Sequence, residues 1–246
     1  MSDSAAVEFE HVFKAFGNRR VLDDVSFKVN AGEALCILGR SGTGKSVTLK
    51  LMIGLLKPDS GTICIDSEDI AHSSEEDLSR VRRHMGFLFQ SAALFDSFTL
   101  GDNLALPLRR LDKSKSPSEI KRAVDEALEH VGLDLDIGKM PAELSGGMRK
   151  RAGLARALVL HPKLLLVDEP SSGLDRITAS EIDDLLLKVK QEYRATLVIV
   201  THDVRGARRV ADRIAVLDQG CLIGFGTATE LEKSDREIVR RLVTES

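Results

Sequence analysis

One stretch limits the fold more than any other in the chain: Gly39-Arg40-Ser41-Gly42-Thr43-Gly44-Lys45-Ser46. It follows a short apolar run, Ala34–Leu38, and precedes Ser46–Leu56, whose apolar residues recur at helical spacing. Glycines let the backbone curl until successive N–H groups point inward, and the positive end of the following helix faces the same concavity. The product is a cradle for phosphate oxygens. Lys45 is placed to reach the β- and γ-phosphates of a nucleotide, and Ser46 offers a hydroxyl to Mg2+. A strand, a glycine loop and a helix in this order require an α/β fold in which the loop leaves the carboxyl end of a buried strand.

The rest of the chain agrees with that requirement. Leu164–Val167 and Leu197–Val200 are apolar without alternation, with a helix expected around Ala179–Gln191 between them, as in a parallel sheet covered on both faces. Val7–Phe9 and Val25–Val29 alternate like antiparallel strands joined through a turn at Gly17-Asn18, and Thr62–Ile65 and Gly86–Phe89 are further strands. Between about Ser91 and Arg156 the texture turns helical. Ser116-Pro117-Ser118-Glu119 carries an N-cap, a proline at the first helical position and a capping-box glutamate, and Gly132 ends that helix. The expected architecture is a P-loop NTPase core with a mostly parallel sheet, an N-terminal antiparallel β subdomain and a helical insertion at about 91–156. All of it lies in one domain spanning 1–246.

A net charge of −3 gives no electrostatic reason to expect nucleic acid. Cys36, Cys64 and Cys221 cannot all pair and match no metal-site spacing, as expected of reduced thiols. The N-terminus has no signal-peptide pattern, and no uncharged run approaches the roughly 20 residues that cross a bilayer. A soluble, cytoplasmic chain is expected, one that acts at a membrane only by docking onto a protein that spans it.

The Leu164–Val167 strand ends in Asp168 and Glu169. At the carboxyl end of a parallel strand, Asp168 is placed to contact Mg2+ and Glu169 to polarise an attacking water. An acid pair in this position also caps helices, so its reading depends on the phosphate loop upstream.

Leu144-Ser145-Gly146-Gly147-Met148 then resembles the signature of the ABC ATPase superfamily, and the other family elements follow in order from Val7 to about Phe225. Phe16 resembles the aromatic that stacks on adenine, Gln90 the Q-loop glutamine, Ser172-Gly173-Leu174-Asp175 the D-loop, and His202 the switch histidine. The resemblance implies ATP and Mg2+ as cofactors, with Glu169, His202, Gln90 and Lys45 in catalysis and Ser46, Gln90 and Asp168 at the metal. Phe16, Gly39 to Ser46, Thr48, Ser145, Gly146, Gly147 and Asp175 would surround the nucleotide. It also implies an ATP-dependent, head-to-tail homodimer in which each signature covers the γ-phosphate held by its partner. Taken singly, Phe16 would more often be core and His202 a strand-end histidine; their joint order carries the resemblance.

Phe87, Phe89, Phe95 and Phe98 cluster around Gln90. The resemblance implies that this stretch lines a groove for a helix of a transmembrane permease subunit; the other reading is that these rings fill the junction between core and insertion, and some could do both. Leu88–Phe95, Asp102–Arg109 and Glu143–Arg151, with Met148 where most relatives carry glutamine, resemble the ATPase subunits of Mla-type phospholipid transporters. That implies a permease, an MCE-type lipid-binding protein, a STAS-domain partner and a place on the inner face of a Gram-negative-type inner membrane. Two departures stand out. Arg176 replaces the usual proline after the D-loop aspartate, and the long C-terminal tail of some Mla ATPases has no counterpart, so weak self-association is expected without nucleotide. Another cargo, such as amino acids or lipoproteins, and a soluble ATPase of iron–sulfur cluster assembly remain open.

Overall fold

The computed structural model describes residues 5–112 and 114–244. Two long strands, β1 (Ala5–Phe16) and β2 (Arg19–Asn30), turn at Gly17-Asn18. β3 (Ala34–Leu38) feeds the glycine loop and α1 (Lys45–Met52), then come β4 (Ser60–Ile65), β5 (Glu68–Asp69), α2 (Glu75–Arg82) and β6 (Met85–Leu88). Three helices follow: α3 (Leu100–Leu111), α4 (Pro117–His130) and α5 (Gly146–Leu158). The chain closes with β7 (Leu164–Asp168), α6 (Arg176–Tyr193), β8 (Thr196–Thr201), α7 (Val204–Val210), β9 (Arg213–Asp218), β10 (Cys221–Gly226), α8 (Ala228–Leu231) and α9 (Glu237–Thr244).

These strands build two sheets. One is antiparallel, in the order β2-β1-β4-β5. The other runs β10-β9-β3-β8-β7-β6, and only its β9–β10 pair is antiparallel. The two-residue pleat distributes the central strands between two cores. Leu35, Ile37, Leu164, Leu166, Val198 and Val200 face the antiparallel sheet and α1, whereas Cys36, Leu38, Leu165, Val167, Leu197 and Ile199 face α6, α7 and α9. This is why the central strands read as unbroken apolar runs.

A third core fills the helical arm. Ser116 and Glu119 form the expected capping box, with Pro117 at the first position of α4. α5 belongs to both bodies: Ala152 and Ala155 face the arm, Leu154 and Leu158 the sheet. α1 stops at Met52, short of the expected Leu56, where Arg82 takes the carbonyls of Ile53 (2.8 Å) and Gly54 (3.0 Å). The three cysteines are free. Among the described residues, no helix is long and apolar enough to cross a membrane.

Candidate active site

Three neighbouring parallel strands, β3, β8 and β7, end at the same edge of the sheet and carry the phosphate loop, His202 and the Asp168-Glu169 pair. The loop closes on itself, the Thr43 hydroxyl donating to Arg40 O (2.9 Å), and α1 starts at Lys45. Gly44 at its entrance has φ +105°, and a Cβ there would lie 2.7 Å from Val21 O. Both observations require glycine.

Lys45 and the two carboxylates are buried where charge is costly unless paired. The Ser46 hydroxyl donates to Asp168 Oδ1 at 3.0 Å. Lys45 Nζ donates to Gly39 O (2.8 Å) and Arg40 O (3.2 Å) and stands 3.4 Å from Glu169 Oε1. His202 Nδ1 lies 2.8 Å from Glu169 Oε2, and the His202 N–H reaches the same oxygen at 3.4 Å. Burial pushes the Asp168 carboxyl above the usual carboxylate range; the Ser46 bond opposes this and the neighbouring Glu169 adds to it.

Glu169 adopts φ +46°, a left-handed conformation that costs a non-glycine residue about 1 kcal/mol or more. Its main chain is held on both sides: its N–H donates to Val200 O (2.9 Å), and its carbonyl accepts from Lys150 Nζ (2.8 Å). A carboxylate locked between an ammonium and an imidazole at the mouth of a phosphate cradle can accept a proton from a water at that mouth.

Other expected residues gather less tightly. Phe16 is 48% exposed on the β1–β2 hairpin, and Arg19, its strand partner, donates to Gly42 O at 3.4 Å. The Thr48 hydroxyl is engaged with Gly44 O (3.2 Å). Gln90 donates to Ser172 Oγ at 3.3 Å, so it is paired with the segment after Glu169 and not with Ser46 or Asp168. Asp175 caps α6: its carboxylate accepts from Ile177 N (2.9 Å), Thr178 N (3.0 Å) and Thr178 Oγ1 (2.7 Å).

Ser145 caps α5, accepting from Met148 N at 3.2 Å, and Gly147 presses so close to α6 that a Cβ would lie 2.4 Å from Thr178 Cγ2. Among the described residues, no hydrogen bond or ion pair joins Ser145, Gly146 or Gly147 to the phosphate loop.

The four phenylalanines divide. Phe87 and Phe89 pack with ring centroids 4.1 Å apart, tilted by 32°, and join the core, whereas Phe95 and Phe98 pair at 5.6 Å, 51% and 37% exposed. Fully buried Asn103 fixes that pair, accepting from Phe95 N (2.7 Å) and donating to Phe95 O (3.1 Å) and Phe98 O (3.2 Å). The sequence alone assigns no role to Asn103, Arg19 or Lys150. For Lys150 a signal exists: it lies in line with Gly147 and Leu154 on the inward stripe of α5, where a surface lysine does not belong.

A phosphate cradle, a buried acid pair and a histidine bonded to one of its carboxylates define a nucleoside-triphosphatase of the P-loop class. The model of the ABC transporter family matches residues 22–172. The probable ribonucleotide transport ATP-binding protein mkl of Mycobacterium leprae is 46% identical over 99% of this chain and 70% of its own length. The methionine import ATP-binding protein MetN of Corynebacterium diphtheriae is 40% identical over 98% of this chain and 72% of its own. Among solved structures, a dimeric ATP-binding cassette in a post-hydrolysis state with ADP and phosphate superposes with a TM-score of 0.83 at 32% identity, covering 90% of this chain and 98% of that one. The chain belongs to the ABC transporter family and is an ATP-binding, ATP-hydrolysing cassette.

Proposed function

We propose that this cassette powers a membrane transporter as a head-to-tail homodimer that works with Mg2+, and that its cargo is phospholipid. The observation that carries the enzymatic part is the setting of Glu169, 3.4 Å from Lys45 Nζ and 2.8 Å from His202 Nδ1. In this reading Glu169 takes a proton from the attacking water, Lys45 spans the β- and γ-phosphates, and His202 orients Glu169. Gly39 to Ser46 and Thr48 cradle the phosphates, while Phe16 stacks on adenine.

Ser46 Oγ and Asp168 Oδ1, 3.0 Å apart, are hard oxygen donors of the kind Mg2+ takes while keeping several waters. A carboxyl that burial disfavours as an anion gains most from a cation beside it. These two residues would hold the ion, with Gln90 as the proposed third donor, and Mg2+ would supply neutralising charge at the phosphates.

α5 offers free N–H groups and a positive end at Ser145, Gly146 and Gly147, an anion site that its own phosphate loop does not fill. A second copy, turned by a two-fold axis, would place its γ-phosphate there with Asp175 nearby. The dimeric relative holding ADP and phosphate supports this arrangement. In the test, Glu169→Gln should retain ATP, lose turnover and accumulate a dimer by size exclusion; turnover at the parent rate removes Glu169 as base.

The exposed Phe95–Phe98 pair is the proposed seat of a permease helix on the inner face of the inner membrane. The cargo assignment rests on the Leu88–Phe95 and Asp102–Arg109 wording, which surrounds that seat, with an MCE-type protein and a STAS-domain protein as further partners. A second reading, nucleotide or methionine as cargo, is favoured by the names of the relatives. Purifying the tagged chain from native membranes separates them: co-purified MCE-type protein and bound phospholipid support the first reading, a periplasmic-binding-protein-type partner the second.

A further inference from the structure

We infer that Lys150 is a positioning residue that ties the signature helix of each subunit to the backbone of that subunit's own Glu169. Lys150 is 5% exposed, one and a half turns inside α5 from the Ser145 cap. Its ammonium crosses to β7's end and donates to Glu169 O at 2.8 Å, a contact between residues 19 apart in sequence. The peptide it grips is the left-handed one at φ +46°, whose other side is fixed to the sheet by the bond from Glu169 N to Val200 O (2.9 Å). The sheet holds one side and the signature helix the other, so the direction of the Glu169 carboxylate depends on where α5 lies.

The tether therefore spans two functions. The tip of α5 faces one nucleotide of a head-to-tail pair, and Glu169 serves the other. A buried ammonium is expensive to desolvate, and a neutral packing residue would fill the same space more cheaply. The charge gives a strong bond to a main-chain carbonyl and draws on the nearby Asp168 and Glu169 carboxylates.

The inference rests on Glu169 being the base and on the composite dimer. Both are checked in parallel: Glu169→Gln must be inactive and must dimerise with ATP, and if it does neither, the failure lies there and not with Lys150. In the full chain, Lys150→Met removes the donor at similar length. It is expected to lower kcat at least tenfold while KM for ATP stays within about twofold. Lys150→Met in the Glu169→Gln background should still form the ATP-dependent dimer, and Lys150→Arg should recover most of the rate. An unchanged kcat, or equal losses in kcat and ATP affinity, overturns the inference. If Lys150→Met does not fold by circular dichroism, Lys150→Gln is read in its place by the same criteria. Failure of both to fold would make Lys150 a purely structural residue and overturn the inference as well.

Discussion

Ser46 and Asp168, 122 residues apart in the sequence, meet through a 3.0 Å hydrogen bond from the serine hydroxyl to the aspartate carboxylate. The bond joins the phosphate loop to the acid pair across β8, which lies between their strands. It also makes both oxygens available to one divalent cation. Ser46→Ala should raise the Mg2+ concentration for half-maximal hydrolysis by about tenfold or more, the effect of losing a charge-assisted contact of about 1.5–3 kcal/mol. Ser46→Thr should leave it near the parent value. Magnesium titrations of the steady-state rate decide the matter; equal curves for all three proteins would remove Ser46 from the metal site.

Gly147→Ala should destabilise the fold by about 1–3 kcal/mol through overpacking, because its Cβ would lie 2.4 Å from Thr178 Cγ2. Better helix propensity offsets at most about 1 kcal/mol of that. Thr178→Ser deletes the offending methyl while keeping the hydroxyl that bonds Asp175, so the double variant should be more stable than Gly147→Ala alone. Urea denaturation of the four proteins tests this, and strictly additive effects would argue against the contact.

Arg176 occupies the first turn of α6 immediately after its cap, Asp175, which has φ −68° and ψ 165°. That extended conformation suits a residue before proline, and the first helical N–H has no intrahelical partner to lose. Arg176→Pro should therefore raise stability by about 0.4–1 kcal/mol, read as an increase in Tm. A lower Tm would mean that the arginine makes the turn in some other way.

Asp183 is buried beside Asp203, both carboxylates lying 3.0 Å from where a Cβ on Gly206 would sit. Burial first, and Asp203 second, push its pKa up from 3.8 to about 6, against the pull of Arg209. The raised value means the folded state holds this proton longer than the unfolded chain does. Stability therefore falls as pH rises from about 4 to about 6 and levels off above. Asp183→Asn removes that term, so its advantage over the parent should grow across the same window to about 2–3 kcal/mol at neutral pH. Denaturation midpoints at pH 4 and pH 7 give the comparison; a constant difference would refute the assignment.

Local signals were legible wherever a residue acts through its own backbone neighbours. The capping box at Ser116 and Glu119, the glycine loop before Lys45 and the apolar runs of β3, β7 and β8 carry their structure in adjacent letters. The acid pair and His202 meet because parallel strands deliver their ends to one edge. Contacts that depend on helix orientation were not legible. The inward stripe of α5 marks Lys150 as buried but does not name its partner, which appears only when α5 is set against β7, and Gln90 pairs with Ser172 across 82 residues of sequence. Nothing in the spacing of the phenylalanines tells which of them the third core leaves outside; Asn103 does, through three carbonyls of one loop.

The pleat of the central sheet sets a strict arithmetic on this site. Along β7, Leu164 and Leu166 point one way, and Leu165 and Val167 the other. Removing a single letter from that strand would invert every side chain after it, aiming Asp168 into the wrong hydrophobic layer and parting it from Ser46. The helical arm has no such parity: around Leu135, 92% exposed, extra residues would only lengthen a surface turn. Added or lost residues are thus expected to be tolerated in the arm, and to disrupt the site when they fall within the three strands that hold it.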